Sequence, residues 1–197
     1  MEITVAAVKE LRERTNAGML DCKKALVEAN GNLDDAVRIL REKGLAAAAK
    51  RADRETSDGR IACYLHHGDR IASMVEVNCE TDFVARTDQF GELVHELALQ
   101  VAATNPRFLS IEDVPEDIVE QEKAIYRTQV EGSKPDHIIE KIVEGKLRKF
   151  YEEVCLLEQS FVRDPDRKIK DLIADTVVAV GEKIAVRRFV RYELGGE

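Results

Sequence analysis

Three stretches of this 197-residue chain alternate side chain by side chain, and their placement limits the fold more than any other feature. Ile61, Cys63 and Leu65 alternate with Ala62, Tyr64 and His66. Beyond Gly68-Asp69, Ile71, Ser73, Val75, Val77 and Cys79 alternate with Ala72, Met74, Glu76 and Asn78. A period of two belongs to a strand, and two such runs about a Gly-Asp pair predict a hairpin. The third run lies near the C-terminus: Ile184, Val186, Arg188, Val190 and Tyr192 alternate with Ala185, Arg187, Phe189, Arg191 and Glu193. It is expected as a third strand added to the hairpin. The apolar residues between these runs have mostly helical spacing. The prediction is an α+β fold, a small antiparallel three-stranded sheet with helices covering one face.

Caps and apolar stripes place the helices. Residues 4–43 read as three short helices: Thr4 caps the first, Asn16-Ala17-Gly18 ends it, Asn30-Gly31 ends the second, and Asn32 starts the third with Asp35 answering as a reciprocal cap. Gly44 is expected to terminate the third. Residues 1–44 are therefore expected to form an N-terminal three-helix module, residues 45–58 an Ala-rich linker helix, and residues 59–197 the α+β core. Within that core, helices are predicted from Asp88 to Ala103 and from Pro115 to about Val130. A turn follows at Gly132-Ser133-Lys134-Pro135. Another helix is expected over 136–157, interrupted or kinked near Gly145, then a loop over Arg163-Asp164-Pro165-Asp166. The last helix spans Ile169 to Val180 and ends at Gly181.

Composition narrows the function classes. The net charge is −8, and a binder of nucleic-acid backbone needs a cationic face, so proteins or small ligands are the expected partners. No apolar run is long enough to span a membrane, and Met1-Glu2-Ile3-Thr4 lacks the marks of a signal peptide. The four scattered cysteines, Cys22, Cys63, Cys79 and Cys155, read as reduced thiols of a cytoplasmic protein. Phosphate-cradling glycine loops and the Gly-x-Ser-x-Gly elbow are missing, and His95-Glu96 lacks the second His of a zinc helix. His66 and His67 near Cys63 and Cys79 raise a metal site, but adjacent strand residues point to opposite faces. Cys63 and Cys79 are better read as small buried residues on neighbouring strands, and Cys155 as core. Arg187, Arg188 and Arg191 are expected to face acidic helices or water. No catalytic residue, cofactor or metal is assigned.

One segment stands apart: Glu76-Val77-Asn78-Cys79-Glu80-Thr81-Asp82-Phe83-Val84-Ala85-Arg86. A strand runs into a polar corner, then presents Asp82 and Phe83 at a helix start, with Thr81 as its N-cap. From chemistry alone two readings stand. Phe83 and Val84 plug the local core, or they anchor a partner.

This segment resembles the second signature of elongation factor Ts, the exchange factor of the GTPase elongation factor Tu. The first signature is similar to Leu11-Arg12-Glu13-Arg14-Thr15-Asn16-Ala17-Gly18-Met19-Leu20-Asp21-Cys22-Lys23-Lys24-Ala25-Leu26. Further similarity lies at Glu144-Gly145-Lys146-Leu147, at Glu153-Val154-Cys155-Leu156-Leu157-Glu158-Gln159, and from Val186 to Leu194. Asn16 stands where Gly is common, and Ser160 where Pro often precedes the Phe. The chain is similar to a short bacterial form, without the second core half and coiled-coil insertion of longer members.

The resemblance implies a ubiquitin-associated-like N-terminal module that contacts elongation factor Tu near Arg12, Met19, Leu20 and Lys23. It implies a wedge at Thr81, Asp82, Phe83 and Val84 that displaces Mg²⁺ from the GTPase and promotes GDP release. A single core half further suggests a homodimer and a 2:2 complex, with the C-terminal strand as a pairing edge. Two rival readings remain. One is an adaptor that tethers a partner without exchange, and the other is a thiol enzyme using Cys79 or Cys155.

Overall fold

The computed structural model describes residues 3–15, 17–51, 53–130 and 135–196. The expectations for Asn16 and for the turn at Gly132-Ser133-Lys134 lie outside the described residues. Helix α1 (Val5–Thr15) starts where the Thr4 hydroxyl accepts the Ala7 N–H at 3.2 Å. Helix α2 (Met19–Glu28) runs out into Asn30 and Gly31, both with positive φ. Helix α3 (Leu33–Lys50) begins at Asn32, whose side-chain oxygen accepts the N–H groups of Asp34 and Asp35 at 3.0 and 3.2 Å. The Asp35 carboxylate pairs with Arg38 at 3.2 Å, where the sequence suggested a reciprocal cap. Leu11, Cys22, Ala25, Leu26 and Ala36 are fully buried between the three helices.

Gly44 does not terminate α3. The helix continues through the Ala-rich run to Lys50. Gly44 meets helix α8 (Ile169–Val180) so closely that a Cβ there would stand 2.8 Å from a Val178 methyl. The glycine serves a close helix crossing, and good helix formers carry the helix past it. Arg41 pairs with Asp171 across the same seam.

Strands β1 (Asp58–Leu65) and β2 (Ile71–Cys79) form the expected hairpin about Gly68 and Asp69, both of positive φ. The C-terminal strand, β5 (Ile184–Glu193), pairs antiparallel with β2, giving the order β1-β2-β5. Helix α5 (Asp88–Thr104) and α8 cover one face. Val75, Val77 and Cys79 of β2 pack there against Phe90, Val94 and Leu97. The Ser73 hydroxyl fastens β2 to α5 by donating to the Ala98 carbonyl at 2.6 Å.

Strand β5 departs from simple alternation. Its register against β2 shifts between Glu76 and Val77, so Arg188 pairs with Glu76 but Val186 with Val77. The extra residue reverses which face each later side chain takes. Ile184 and Val186 are buried, then Phe189 and Arg191 turn to the helices and Val190 and Tyr192 turn outward. Arg187 and Arg188 both reach Glu76, and Arg191 donates to the Ala102 carbonyl at 2.9 Å.

The remaining helices stand to one side. Helix α6 (Glu116–Val130) follows Pro115 and packs on α7 (Asp136–Val154), with Arg127 on Glu140 and the Lys146 ammonium over the Tyr126 ring. Helix α7 passes through Gly145 unbroken and stops at Val154, short of the predicted Leu157. The loop predicted at 163–166 is partly a second, two-stranded sheet of β3 (Ser160–Phe161) and β4 (Asp164–Lys168). Its sequence has no apolar alternation to announce it. The buried Gln100 side chain ties it to α5 by bonding the Ser160 carbonyl and the Val162 N–H.

Candidate partner-binding site

Strand β2 ends at Cys79, and the chain turns into helix α4 (Asp82–Ala85), a single turn. Four residues cannot hold a helix by their own hydrogen bonds. Thr81 is its N-cap, as expected, with the hydroxyl accepting the Val84 N–H at 3.4 Å. Val84 and Ala85 are buried against the sheet core. Asp82 pairs with Arg86 at 2.9 Å on the surface. Phe83 is 80% exposed.

Val84 plugs the core and Phe83 does not. A fully apolar ring is thus left in water on a capped, core-anchored turn.

Several bonds fix the corner from behind. Glu182 follows Gly181, whose φ of 78° lets the chain leave α8 in the left-handed conformation that glycine tolerates. The Glu182 carboxylate accepts the Glu80 N–H at 3.1 Å, the Thr81 N–H at 3.0 Å and the Thr81 hydroxyl at 2.7 Å. Glu80 answers by accepting the Lys183 N–H at 2.6 Å and the Arg54 guanidinium at 3.0 Å. The Lys183 N–H and Arg54 hold its carboxyl below the usual carboxylate range. The Cys79 thiol donates to the Thr81 carbonyl at 3.2 Å. Sequence reading missed Glu182 and Glu80, because both act on residues far along the chain.

The N-terminal candidates lie on the three-helix module. Arg12 on α1, and Met19, Leu20 and Lys23 on α2, are all exposed. Val27 extends the α2 face by another turn and is also exposed, though the sequence reading did not select it. Its signal was the four-residue step that runs from Met19 to Lys23 to Val27. Among the described residues no hydrogen bond or ion pair joins this group to Thr81–Val84.

The thiols divide differently from expectation. Cys22, Cys79 and Cys155 are buried and Cys63 is exposed. Cys63 sits opposite Met74 on the outer face of the sheet, whereas Cys79 points to the helices. Burial, helped by nearby Glu182, pushes the Cys79 thiol up, and burial pushes Cys155 up to about 11. Both are held as the poorly nucleophilic thiol at neutral pH. In dilute native protein near neutral pH, iodoacetamide is expected to modify Cys63 alone, with the other three reacting only after unfolding. Mass spectrometry reads the count, and rapid native labelling of Cys79 or Cys155 would contradict it. Among the described residues no group of three or more His, Cys, Asp or Glu side chains is placed to hold a metal ion. No helix among them is long and apolar enough to cross a membrane.

Comparison with known proteins finds a match along nearly the whole chain. The family model described as elongation factor TS matches residues 2–196. The elongation factor Ts of Herpetosiphon aurantiacus is 58% identical over 196 residues, spanning 99% of this chain and 99% of that protein. That of Moorella thermoacetica is 56% identical over 194 residues, spanning 98% of this chain and 96% of its own. That of Thermodesulfovibrio yellowstonii is 54% identical over 195 residues, with 99% and 98% covered. On the extent of that match and the identity of those relatives, the chain belongs to the translation elongation factor Ts family.

Proposed function

We propose that this protein is a guanine-nucleotide exchange factor for elongation factor Tu in a bacterial cytoplasm, and that it performs no covalent chemistry. The observation that carries this reading is the 80% exposed Phe83 on a braced corner. Tight GDP binding by a GTPase leans on Mg²⁺ and on groups that cradle the phosphates. A Phe seated in a partner pocket gains about 1.5–3 kcal/mol from burial. Phe83, with Asp82 beside it and Thr81 and Val84 fixing the turn, uses that energy to shift the elements holding Mg²⁺. The module face at Arg12, Met19, Leu20 and Lys23 supplies a second contact. Linkage is reciprocal, so nucleotide entering the emptied site weakens the factor in turn.

The test is release of a fluorescent GDP analogue from elongation factor Tu. Wild type is expected to accelerate release at sub-stoichiometric concentration. Binding with an unchanged release rate would leave only a tethering adaptor.

The same reading includes a homodimer. The outer sheet face carries Ile61, Leu65, Met74, Val190 and Tyr192, all exposed, with Glu76, Arg187 and Arg188 at its side. Single exposed apolar residues are ordinary, but five on one face mark a docking surface. A rim of both signs is complementary to itself, so a second copy of this chain is the proposed occupant. The free edge of β5 adjoins this face. Met74→Asp, on the central strand, is expected to sediment as a monomer where wild type sediments as a dimer, with unchanged circular dichroism. Cys63 alkylation should slow as wild type is concentrated, and stay fast in the variant. A wild-type monomer at working concentration would remove the dimer.

A further inference from the structure

We propose that Glu182 is a positioning residue for exchange: its carboxylate sets the direction in which Phe83 is presented. This rests on the exchange reading above. Phe83 has no packing of its own to aim it, being 80% exposed. Helix α4 is a single turn, too short to define a direction unaided. Val84 and Ala85 anchor its far side in the core. The near side is anchored by Glu182, which holds two successive backbone N–H groups, of Glu80 and Thr81, and the Thr81 hydroxyl. That hydroxyl in turn accepts the Val84 N–H, so the carboxylate orients the cap through the group that makes it. Hydrogen bonds to a carboxylate are shorter and stronger than those between neutral groups, and three of them converge here on one side chain. Glu80 makes the reverse bond to the Lys183 N–H, so the two chain segments are locked from both sides.

The function of such a brace follows from what Phe83 must do. A ring that enters a partner pocket does work on the partner only if its own base resists. Without the brace, Phe83 can still bury itself, because its apolar surface is unchanged. The turn beneath it would yield before the Mg²⁺ site does. Loss of Glu182 should therefore lower the limiting rate of GDP release more than it weakens binding. A residue that acted only by keeping the chain folded would lower both together.

The experiment compares wild type, Glu182→Ala and Glu182→Gln in GDP release from elongation factor Tu, over a range of factor concentration. Glu182→Ala is expected to lower the limiting release rate on the order of tenfold or more. Its half-saturating concentration should stay within about threefold, since the Phe83 surface that supplies burial is intact. Glu182→Gln keeps an acceptor for both N–H groups, and its amide can donate to the Thr81 hydroxyl, so it should recover most of the rate. Amide hydrogen exchange gives a readout that needs no partner. The Glu80 and Thr81 amides should lose protection in Glu182→Ala while Val75 and Val77 keep theirs. A limiting rate equal to wild type, an equal fall in rate and affinity, no recovery in Glu182→Gln, or loss of protection throughout the strand would each overturn the inference. Wild type that fails to accelerate release would overturn the exchange reading, and this inference with it.

Discussion

Phe83→Ala is expected to abolish most of the acceleration of GDP release while leaving the protein as stable as before. Removing the ring forfeits the burial it gains in a partner pocket, about 1.5–3 kcal/mol. Each 1.4 kcal/mol is tenfold, so the rate at a fixed sub-saturating concentration should fall about ten- to hundredfold. The folded chain itself loses little, because the side chain is 80% exposed and makes no core contact. Surface substitutions of this kind shift stability by about 0.5 kcal/mol or less. The informative result is the combination. An unimpaired variant would remove the wedge assignment and leave the family membership untouched. A variant that melts early would mean that Phe83 is packed after all.

Phe90→Ala is expected to do the opposite. Phe90 stands in the first turn of α5, with its N–H on the Thr87 hydroxyl, and is fully buried against β2. Truncating a core Phe removes its transfer energy and leaves a cavity, at about 3–5 kcal/mol. For a chain of this length that corresponds to a fall in melting temperature on the order of 10 °C. Release activity per folded molecule, measured well below the transition, should stay near wild type, since the Glu80–Val84 corner is braced by other groups. Thermal denaturation followed by circular dichroism reads the first effect, and the release assay the second. Two phenylalanines seven residues apart are thus expected to fail in opposite assays, although both follow a polar corner in the sequence.

What the sequence revealed and what it hid divide along a physical line. Local chemistry was legible. The side-chain oxygens of Thr4, Asn32 and Thr81 cap the helices they precede, and Gly181 ends α8, because a cap is made within a few residues of itself. The hairpin and its third strand were legible from alternation. The break at Gly44 was wrong, because a glycine that ends a helix and one that admits a neighbouring helix look alike until the neighbour is placed. The outer face was hidden for a similar reason. Alternation predicts one apolar side of β5, and a single bulge opposite Glu76 and Val77 moves Val190 and Tyr192 to the other. Cys63 went wrong with it, since which face of β1 is buried depends on where the helices lie. At the candidate site, Thr81 and Phe83 were recoverable from order along the chain. Glu182 was not, since its partners come from the other end of the core.

The seam between α3 and α8 has a geometric consequence. Helix α8 touches the module along its length, through Asp171 to Arg41 and through Ala174 and Val178 to Gly44. It then delivers its next residues, Gly181 and Glu182, to the corner that carries Phe83. Its twelve residues, at about 1.5 Å each, make a rod of about 18 Å. The two proposed docking points therefore share one rigid ruler. Inserting or deleting a residue in α8 would rotate one point about 100° relative to the other, and a partner able to accept either alone would no longer find both in reach.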